Sequence, residues 1–220
     1  MPALRHLRSL PQPGKGTFRR RSGDRSSHQS PDRQGERRVT FPLGPFPTSE
    51  RLRFRLPSPN DAVFYQTLMS EPDYKRFIHD YGIDSPEDAA TYIKSKSLVR
   101  FAAQGVGLWL VELKETGEPI GVCGLVVRKE LKYPDLGFAF LSCHRGKGYG
   151  REAGQAVLDF SAGELNLRTL CAITHPDNDR SANLLLKLGF EPSGQRHLEE
   201  IGSTANYYVW KLRYVEAGLG

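Results

Sequence analysis

The sequence predicts an α/β (α+β) domain: a mixed, mostly antiparallel central sheet of about seven strands, with helices on both faces. Two observations carry this expectation. Short strand patterns form an uninterrupted β-β-β run in the middle of the chain, and strand and helix then alternate before a closing antiparallel pair. With 220 residues, the chain has room for one medium domain and an appendage.

The elements follow in order. Leu52–Leu56 alternates Leu-Arg-Phe-Arg-Leu, a period-two strand with one apolar face. Ser58-Pro-Asn-Asp61 caps a helix running to about Met69. Ser85-Pro-Glu-Asp88 starts a second helix, with Ser85 as N-cap, Pro86 at the first helical position and acids in the first turn. It should run to Ala103 and stop at Gly105. Val106–Leu113 and Pro119–Arg128 read as strands joined by a hairpin loop with Gly117 in the turn. Asp135–Ser142 is a more apolar strand, placed centrally. Tyr149–Leu165 is a helix with Ala153, Val157 and Phe160 on one face. Leu167–Thr174 is a strand. Asp179–Leu188 is a short helix facing in with Ala182, Leu185 and Leu186, closed by Gly189. Glu191–Leu198 and Asn206–Arg213 close the sheet.

The net charge of +6 is unevenly placed. Residues 1–40 hold ten Lys and Arg against three acids, so the remaining 21 bases and 22 acids nearly cancel. The body is therefore near neutral, and the basic balance is no argument that it binds nucleic acid. From Pro11 to Arg38 the chain is Arg, Ser, Gly, Gln and Pro, too poor in apolar groups to offset chain entropy. Residues 1–47 are expected to be a disordered basic tail, 48–214 the folded domain and 215–220 a short C-terminal tail. Phosphate attraction through the tail would be non-specific. Cytoplasmic residence is the default, with an organelle-targeting leader as the alternative, because the tail is rich in Arg and Ser.

No apolar run approaches the length of a spanning helix. Cys123, Cys143 and Cys171 show no paired spacing, which argues against a disulfide framework and a structural zinc site.

The most informative string is Arg145-Gly146-Lys147-Gly148-Tyr149-Gly150, between a strand and a helix. Glycines let the backbone curl and approach a ligand closely. Its N–H groups then form an anion nest at the positive end of the helix dipole, with Arg145, Lys147 and Arg151 adding charge. A bound pyrophosphate is the physical expectation. The P-loop pattern fails, because no Ser or Thr follows Lys147. The dinucleotide fingerprint fails on glycine spacing.

Arg145, Gly148 and Gly150 match R/Q-x-x-G-x-G/A, and here the chain resembles the GCN5-related N-acetyltransferase (GNAT) superfamily. Asp135-Leu-Gly-Phe-Ala-Phe140 is similar to that family's fourth strand. Asn178 through Gly189-Phe190 is similar to its N-x-x-S…G-F segment. Trp109 through Gly121 is similar to its hairpin. Thr48 through Arg55 resembles the opening of the branch with the ribosomal-protein alanine N-acetyltransferases (RimJ/RimL).

The resemblance implies acetyl transfer from acetyl-CoA to a primary amine by direct attack, the amine being a protein N-terminus or a small molecule. It implies that the fourth and fifth strands splay, at a bulge near Phe138–Ser142. Backbone groups of Phe140, Leu141 and Ser142 would then pair with the pantetheine arm and hold the thioester oxygen. Arg145, Gly146, Lys147, Gly148, Tyr149 and Gly150 would take the pyrophosphate. Asn178 either bonds the pantetheine or caps its own helix. Ser181 is the candidate donor to the departing thiolate and Asp135 the candidate general base. Glu199, Glu200 and the segment Phe64–Tyr81 would face the acceptor. Cys143 beside His144 is set aside as a nucleophile, since residues adjacent in a strand point to opposite faces. A non-catalytic acyl-CoA-binding domain of the same fold is the alternative. No membrane partner is expected, and a homodimer is an open assembly.

Overall fold

The structure is a computed structural model, and it describes residues 44–212. The expectations for the basic tail, and for residues 213–220, lie outside the described residues. Among those described, no helix is long and apolar enough to cross a membrane.

Seven strands form one sheet in the order β1-β2-β3-β4-β5-β7-β6. They are β1 (Leu52–Arg55), β2 (Leu108–Leu113), β3 (Pro119–Val126), β4 (Asp135–Phe140), β5 (Thr169–Thr174), β6 (Glu191–Leu198) and β7 (Ser203–Lys211). All neighbours are antiparallel except β4 and β5, which run parallel. The predicted mixed sheet and the central place of β4 are both observed.

The first strand shows why its alternation matters. Leu52 and Phe54 are buried in the core, while Arg53 and Arg55 point the other way. There Arg53 and Arg55 grip Glu112 of β2, at 2.6 and 2.7 Å. Arg55 also pairs with Asp61 at 2.6 Å, tying β1 to the start of α1 (Ala62–Ser70). Burial opposes the charge of Asp61, but its bonds to Arg55 and to the Ser58 N–H outweigh that and hold the carboxyl below its usual range.

A second helix, α2 (Pro72–Phe77), follows at once. Its six residues show no apolar period, and the sequence reading had no separate helix there. The predicted Ser85 cap is present, with the Asp88 N–H donating to the Ser85 hydroxyl at 3.1 Å. The helix beyond it runs as α3 (Pro86–Tyr92), a wider π segment (Ile93–Ser97) and α4 (Leu98–Gln104). Gly105 ends it in the left-handed conformation at φ +71°.

The helices α1 and α3 cover one face of the sheet, over Leu110 and Val122. The other face carries α5 (Tyr149–Gly163) and α6 (Asp179–Lys187). Ala153, Val157 and Phe160 of α5 are buried as predicted. In α6, Leu185 is fully buried but Leu186 is exposed. One residue further turns the side chain about 100° around a helix, out of the narrow contact stripe that Ala182 and Leu185 make. Cys123 and Cys171 are buried strand residues, and burial pushes the Cys123 thiol up.

Gly124 of β3 has no room for a side chain, since a Cβ there would lie 2.0 Å from the Gly107 carbonyl oxygen. Gly124→Ala should therefore lower stability by about 1–3 kcal/mol, as overpacking does. A shift of the urea midpoint at constant slope is the expected readout.

Candidate active site

The strands β4 and β5 share one partner pair, Asp135 with Cys171. Beyond it they diverge, and a groove of about 1510 Å³ runs through the gap. No bulge opens it. β4 pairs with β3 without interruption from Asp135 to Phe140, and the register shifts of the sheet lie in β2 and β6. The expected bulge near Phe138–Ser142 is thus replaced by divergence of two straight strands. The strand also ends earlier than expected, at Phe140, and Ser142–His144 form a 3₁₀ turn.

The loop Arg145–Gly150 lies at one end of this gap and opens α5. Gly146 and Gly148 have φ of +76° and +85°, left-handed values that favour glycine. Gly150 serves another purpose, since it is helical and a Cβ there would sit 3.2 Å from Leu184 of α6. Among the described residues, the N–H groups of Gly146, Lys147 and Gly148 meet no acceptor. They adjoin the first turn of α5, whose own N–H groups lack intrahelical partners. The curled backbone is therefore a ready anion cradle.

The side chain of Arg145 turns away from that cradle. It bonds Asp73 at 2.6 Å, Glu71, and the Phe140 carbonyl at 2.8 Å. Glu71 also accepts from the Ser142 N–H at 2.7 Å. Two carboxylates of the α2 region thus strap the loop to the rest of the fold. The charge of Arg145 is already matched, and what it supplies is position. Arg51 stacks on the Tyr149 ring at 4.6 Å and pairs with Glu152 at 2.7 Å, which pins β1 to α5.

On the opposite wall, the Asn178 side chain accepts from the Ser181 N–H at 3.1 Å and caps α6. The capping reading of Asn178 is thus present in the structure. Both residues line the groove, and the Ser181 hydroxyl has no partner among the described residues. Thr174, at the end of β5, lines the same groove, and its buried hydroxyl has no hydrogen bond among the described residues. Phe140 lines it as well, whereas Leu141 and Ser142 lie in the turn behind it.

Asp135 sits at the root of the gap, 2% exposed. Its Oδ2 accepts from Arg128 Nε at 2.9 Å, and Arg128 also reaches Glu200 at 3.2 Å. Its Oδ1 meets no hydrogen-bond partner, although the Ile173 N–H leans toward the carboxylate and favours its charge. Burial is the stronger influence and pushes the carboxyl up despite Arg128. The sequence reading missed Arg128, Glu71 and Thr174. Arg128 had a signal: it and Asp135 flank the short β3–β4 connection and so return to neighbouring positions.

Cys143 is exposed in the 3₁₀ turn, so the strand argument used for it does not apply. His144 points its Nε2 at Glu118, 3.2 Å away. Among the described residues, no group of three or more His, Cys, Asp or Glu is arranged to hold a metal ion.

A parted sheet with an anion cradle at its mouth is the setting for comparison. Residues 51–191 match the acetyltransferase (GNAT) domain. The chain belongs to the GNAT acetyltransferase family. It is 28% identical over 148 residues to the uncharacterized protein YkkB of Bacillus subtilis, covering 66% of this chain and 84% of that one. It is equally similar, over 147 residues, to the uncharacterized N-acetyltransferase p20 of Bacillus licheniformis, covering 66% and 82%. An acetyltransferase structure from Agrobacterium tumefaciens superposes with a TM-score of 0.64 at 26% identity, over 75% of this chain and 93% of that one. RimL, the ribosomal L7/L12 α-N-protein acetyltransferase solved with coenzyme A, shares the fold at 16% identity and a TM-score of 0.63, over 76% and 97%. The GNAT fold expected from the four motifs is present, and the chain is an acetyltransferase of that family.

The strap makes a prediction about this GNAT loop. Glu71→Ala removes the acceptor of the Ser142 N–H and half the counter-charge of Arg145. Amides of residues 142–148 should exchange with solvent about 10- to 100-fold faster, as loss of charge-assisted bonds implies. Exchange in β3 should stay unchanged.

Proposed function

We propose that this protein transfers an acetyl group from acetyl-CoA to a primary amine by direct attack of that amine. The observation that carries the reading is the groove between β4 and β5, with the Gly146–Gly148 cradle at its mouth and unpartnered polar atoms along its walls. The residues fit the coenzyme. Orphan N–H groups and the α5 N-terminus suit its pyrophosphate, and Arg151 and Lys187 line the groove with no carboxylate partner among the described residues. The free edge of β4 through Phe140 suits the pantetheine amides, with the turn at Leu141 and Ser142 closing that wall. Asn178 and Thr174 offer polar groups from the facing wall. Lys147 and Tyr149 complete the loop, and Arg145 positions it.

Acetyl-CoA supplies an acetyl thioester. The chain supplies proton handling and orientation. Asp135 takes the proton from the attacking amine through water at Oδ1, the buried oxygen that Arg128 does not engage. Its raised pKa brings it nearer to that of an amine than an exposed Asp would be. Ser181 donates its hydroxyl proton toward the departing sulfur. Glu200 adds negative charge near the amine.

The overall likeness extends to RimL and to a structure of ribosomal-protein-S5-alanine acetyltransferase from Vibrio fischeri, so a protein N-terminal α-amine is one acceptor class to test. The aminoglycoside acetyltransferase AAC(6')-Ib has the same fold at 18% identity, and so small amines are the other. A panel of both with acetyl-CoA, followed by free thiol release, tests the function. Thiol release that depends on an amine is the expected result. Coenzyme binding without turnover of any amine would support the non-catalytic alternative.

Two substitutions divide the labour. Gly148→Asp places a β-carbon at φ +85° and a negative charge in the cradle, and should cut coenzyme affinity about 100-fold or more by calorimetry. For Asp135 the sign is definite: only the carboxylate accepts a proton, so the wild-type rate should climb as pH rises through its elevated pKa. Asp135→Asn should lose that limb and about 10- to 100-fold in kcat, with coenzyme affinity kept.

A further inference from the structure

Part of the groove is lined by α2, α3 and α4, and its charges there are unevenly matched. Nearly every carboxylate along the groove is answered. Asp73 has Arg145 and Arg180, Asp80 has Lys75, Asp177 has Arg76, and Arg128 holds both Asp135 and Glu200. The cations are not all answered. Arg100, from α4, lines the groove half-buried, with no carboxylate and no hydrogen bond among the described residues. A guanidinium removed from water without a partner is costly. Its presence here calls for an occupant.

The surroundings of Arg100 form a small pocket of about 20 Å³, room for one water or one carboxylate oxygen, which shares Arg100, Tyr74, Tyr92, Leu108 and Val122 with the groove. Leu108 and Val122 make its floor, and Tyr65, Tyr74 and Tyr92 its walls. Burial pushes all three phenols up, so they stay protonated and present O–H donors. Arg100 lies close enough to Tyr74 and Tyr92 for its field to act on both hydroxyls. The Tyr74 hydroxyl makes no hydrogen bond among the described residues. A ring of tyrosines can also cage a cation. Here the cage already contains a positive charge, which excludes that use. The polar groups that converge are a guanidinium and the Tyr74 hydroxyl; the Tyr92 hydroxyl already engages Tyr81 and the Tyr65 hydroxyl Ser97.

We propose that this pocket is a subsite for a carboxylate carried by the amine acceptor, with Arg100 and Tyr74 as the residues that select it. The proposal rests on the acetyltransferase reading and narrows its substrate class to amines that carry a carboxylate. One guanidinium beside a neutral donor matches one planar monoanion better than a dianion, which needs more charge. Lys96 lines the groove nearby but stays outside the closed pocket. The opposite pole lies on the same face of the sheet. Asp135, Gly137 and Ala139 alternate with Leu136 and Phe138 along β4, and Gly137 meets Leu108 of the pocket floor. An acceptor would thus put its amine toward Asp135 and Glu200 and its carboxylate toward Arg100. Lys96 lies in the π segment and Arg100 in the α4 helix that follows it, and both line the groove. Such widened turns often occur where a helix serves a site.

The test compares each of the twenty standard amino acids with its carboxamide, in wild type and Arg100→Met, by acetyl-CoA-dependent thiol release. The amide keeps the amine and loses only the carboxylate charge. Its amine is also the less basic, which favours the amide and makes preference for the acid the stricter result. The wild type should prefer at least one acid over its amide by about 10- to 100-fold in kcat/KM. Arg100→Met should lose that preference, with the amide rate and the coenzyme affinity within about twofold of wild type. Equal use of acid and amide overturns the proposal, as does an equal loss on both in Arg100→Met, or faster turnover of amines without a carboxylate than of any acid. Calorimetry on coenzyme-loaded protein separates the two readings. Acid binding that disappears in Arg100→Met, with no turnover, keeps the subsite and removes the transferase reading. No heat from any acid overturns the subsite. If Arg100→Met does not fold, Arg100→Gln and Tyr74→Phe take its place, and each should weaken the acid alone.

Discussion

The site depends on one constraint: two parallel strands that pair at a single point and then separate. A sheet normally satisfies each backbone group by the next strand. Here the Cys171 N–H donates to the Pro134 carbonyl at 2.9 Å, and the ladder goes no further than Asp135. Past that point the facing edges of β4 and β5 keep donors and acceptors for something other than protein. The Asp135–Arg128 pair sits at the point of divergence. A buried pair of this kind contributes little net stability, since desolvation offsets the attraction, yet removing one partner leaves a costly buried charge. Its value here is position: it fixes the root of the gap and leaves one buried carboxylate oxygen without a hydrogen-bond partner among the described residues.

The second requirement is that the loop hold its curl in the absence of ligand. Orphan N–H groups in a Gly-rich loop are not a site unless the loop is stiff. Glu71 and Asp73 supply that stiffness by engaging Arg145 and the Ser142 N–H from outside. The loop's own arginine therefore acts as a strut, and the attraction for an anion is left to main-chain dipoles and to Arg151. Backbone groups cannot be altered by most substitutions. A cradle built from them tolerates wide sequence variation around it, which accords with shared fold at identities as low as 16%.

Much of this was legible in the chain. The loop was legible because its physics is local: two left-handed glycines before a helix are contiguous, and no distant residue is needed to recognise them. The central place of β4 was legible because its apolar run reports two-sided burial, as the alternation in β1 reports one-sided burial. Other features were not. The helix α2 is too short to show a period, though Pro72 after Glu71 is a start signal that could have been read. Leu186 was placed inward because a three-residue apolar run does not say which of its members faces the core. The bulge was expected from analogy, whereas the divergence is a relation between strands far apart in sequence, β5 pairing fully with β7 and at one point with β4. Asn178 carried two compatible readings, and only the cap is decided by contacts within the chain.

The two parts of the groove differ in how they are made, and this explains which was readable. The coenzyme part uses main chain from one continuous stretch. The other part uses side chains from α1, α2, α3, α4, β2 and β3, brought together only by the tertiary fold. Tyr65, Tyr74, Tyr92 and Arg100 have no shared spacing, and each alone reads as an ordinary helix residue. Recognition by side chains is also the kind that substitution changes most easily. A fold that keeps its donor site in backbone and its acceptor site in side chains can change the amine it accepts without disturbing how it holds the acetyl donor. On the proposed reading the acceptor is encoded in the groove charges left unmatched among the described residues, of which Arg100 is the half-buried one.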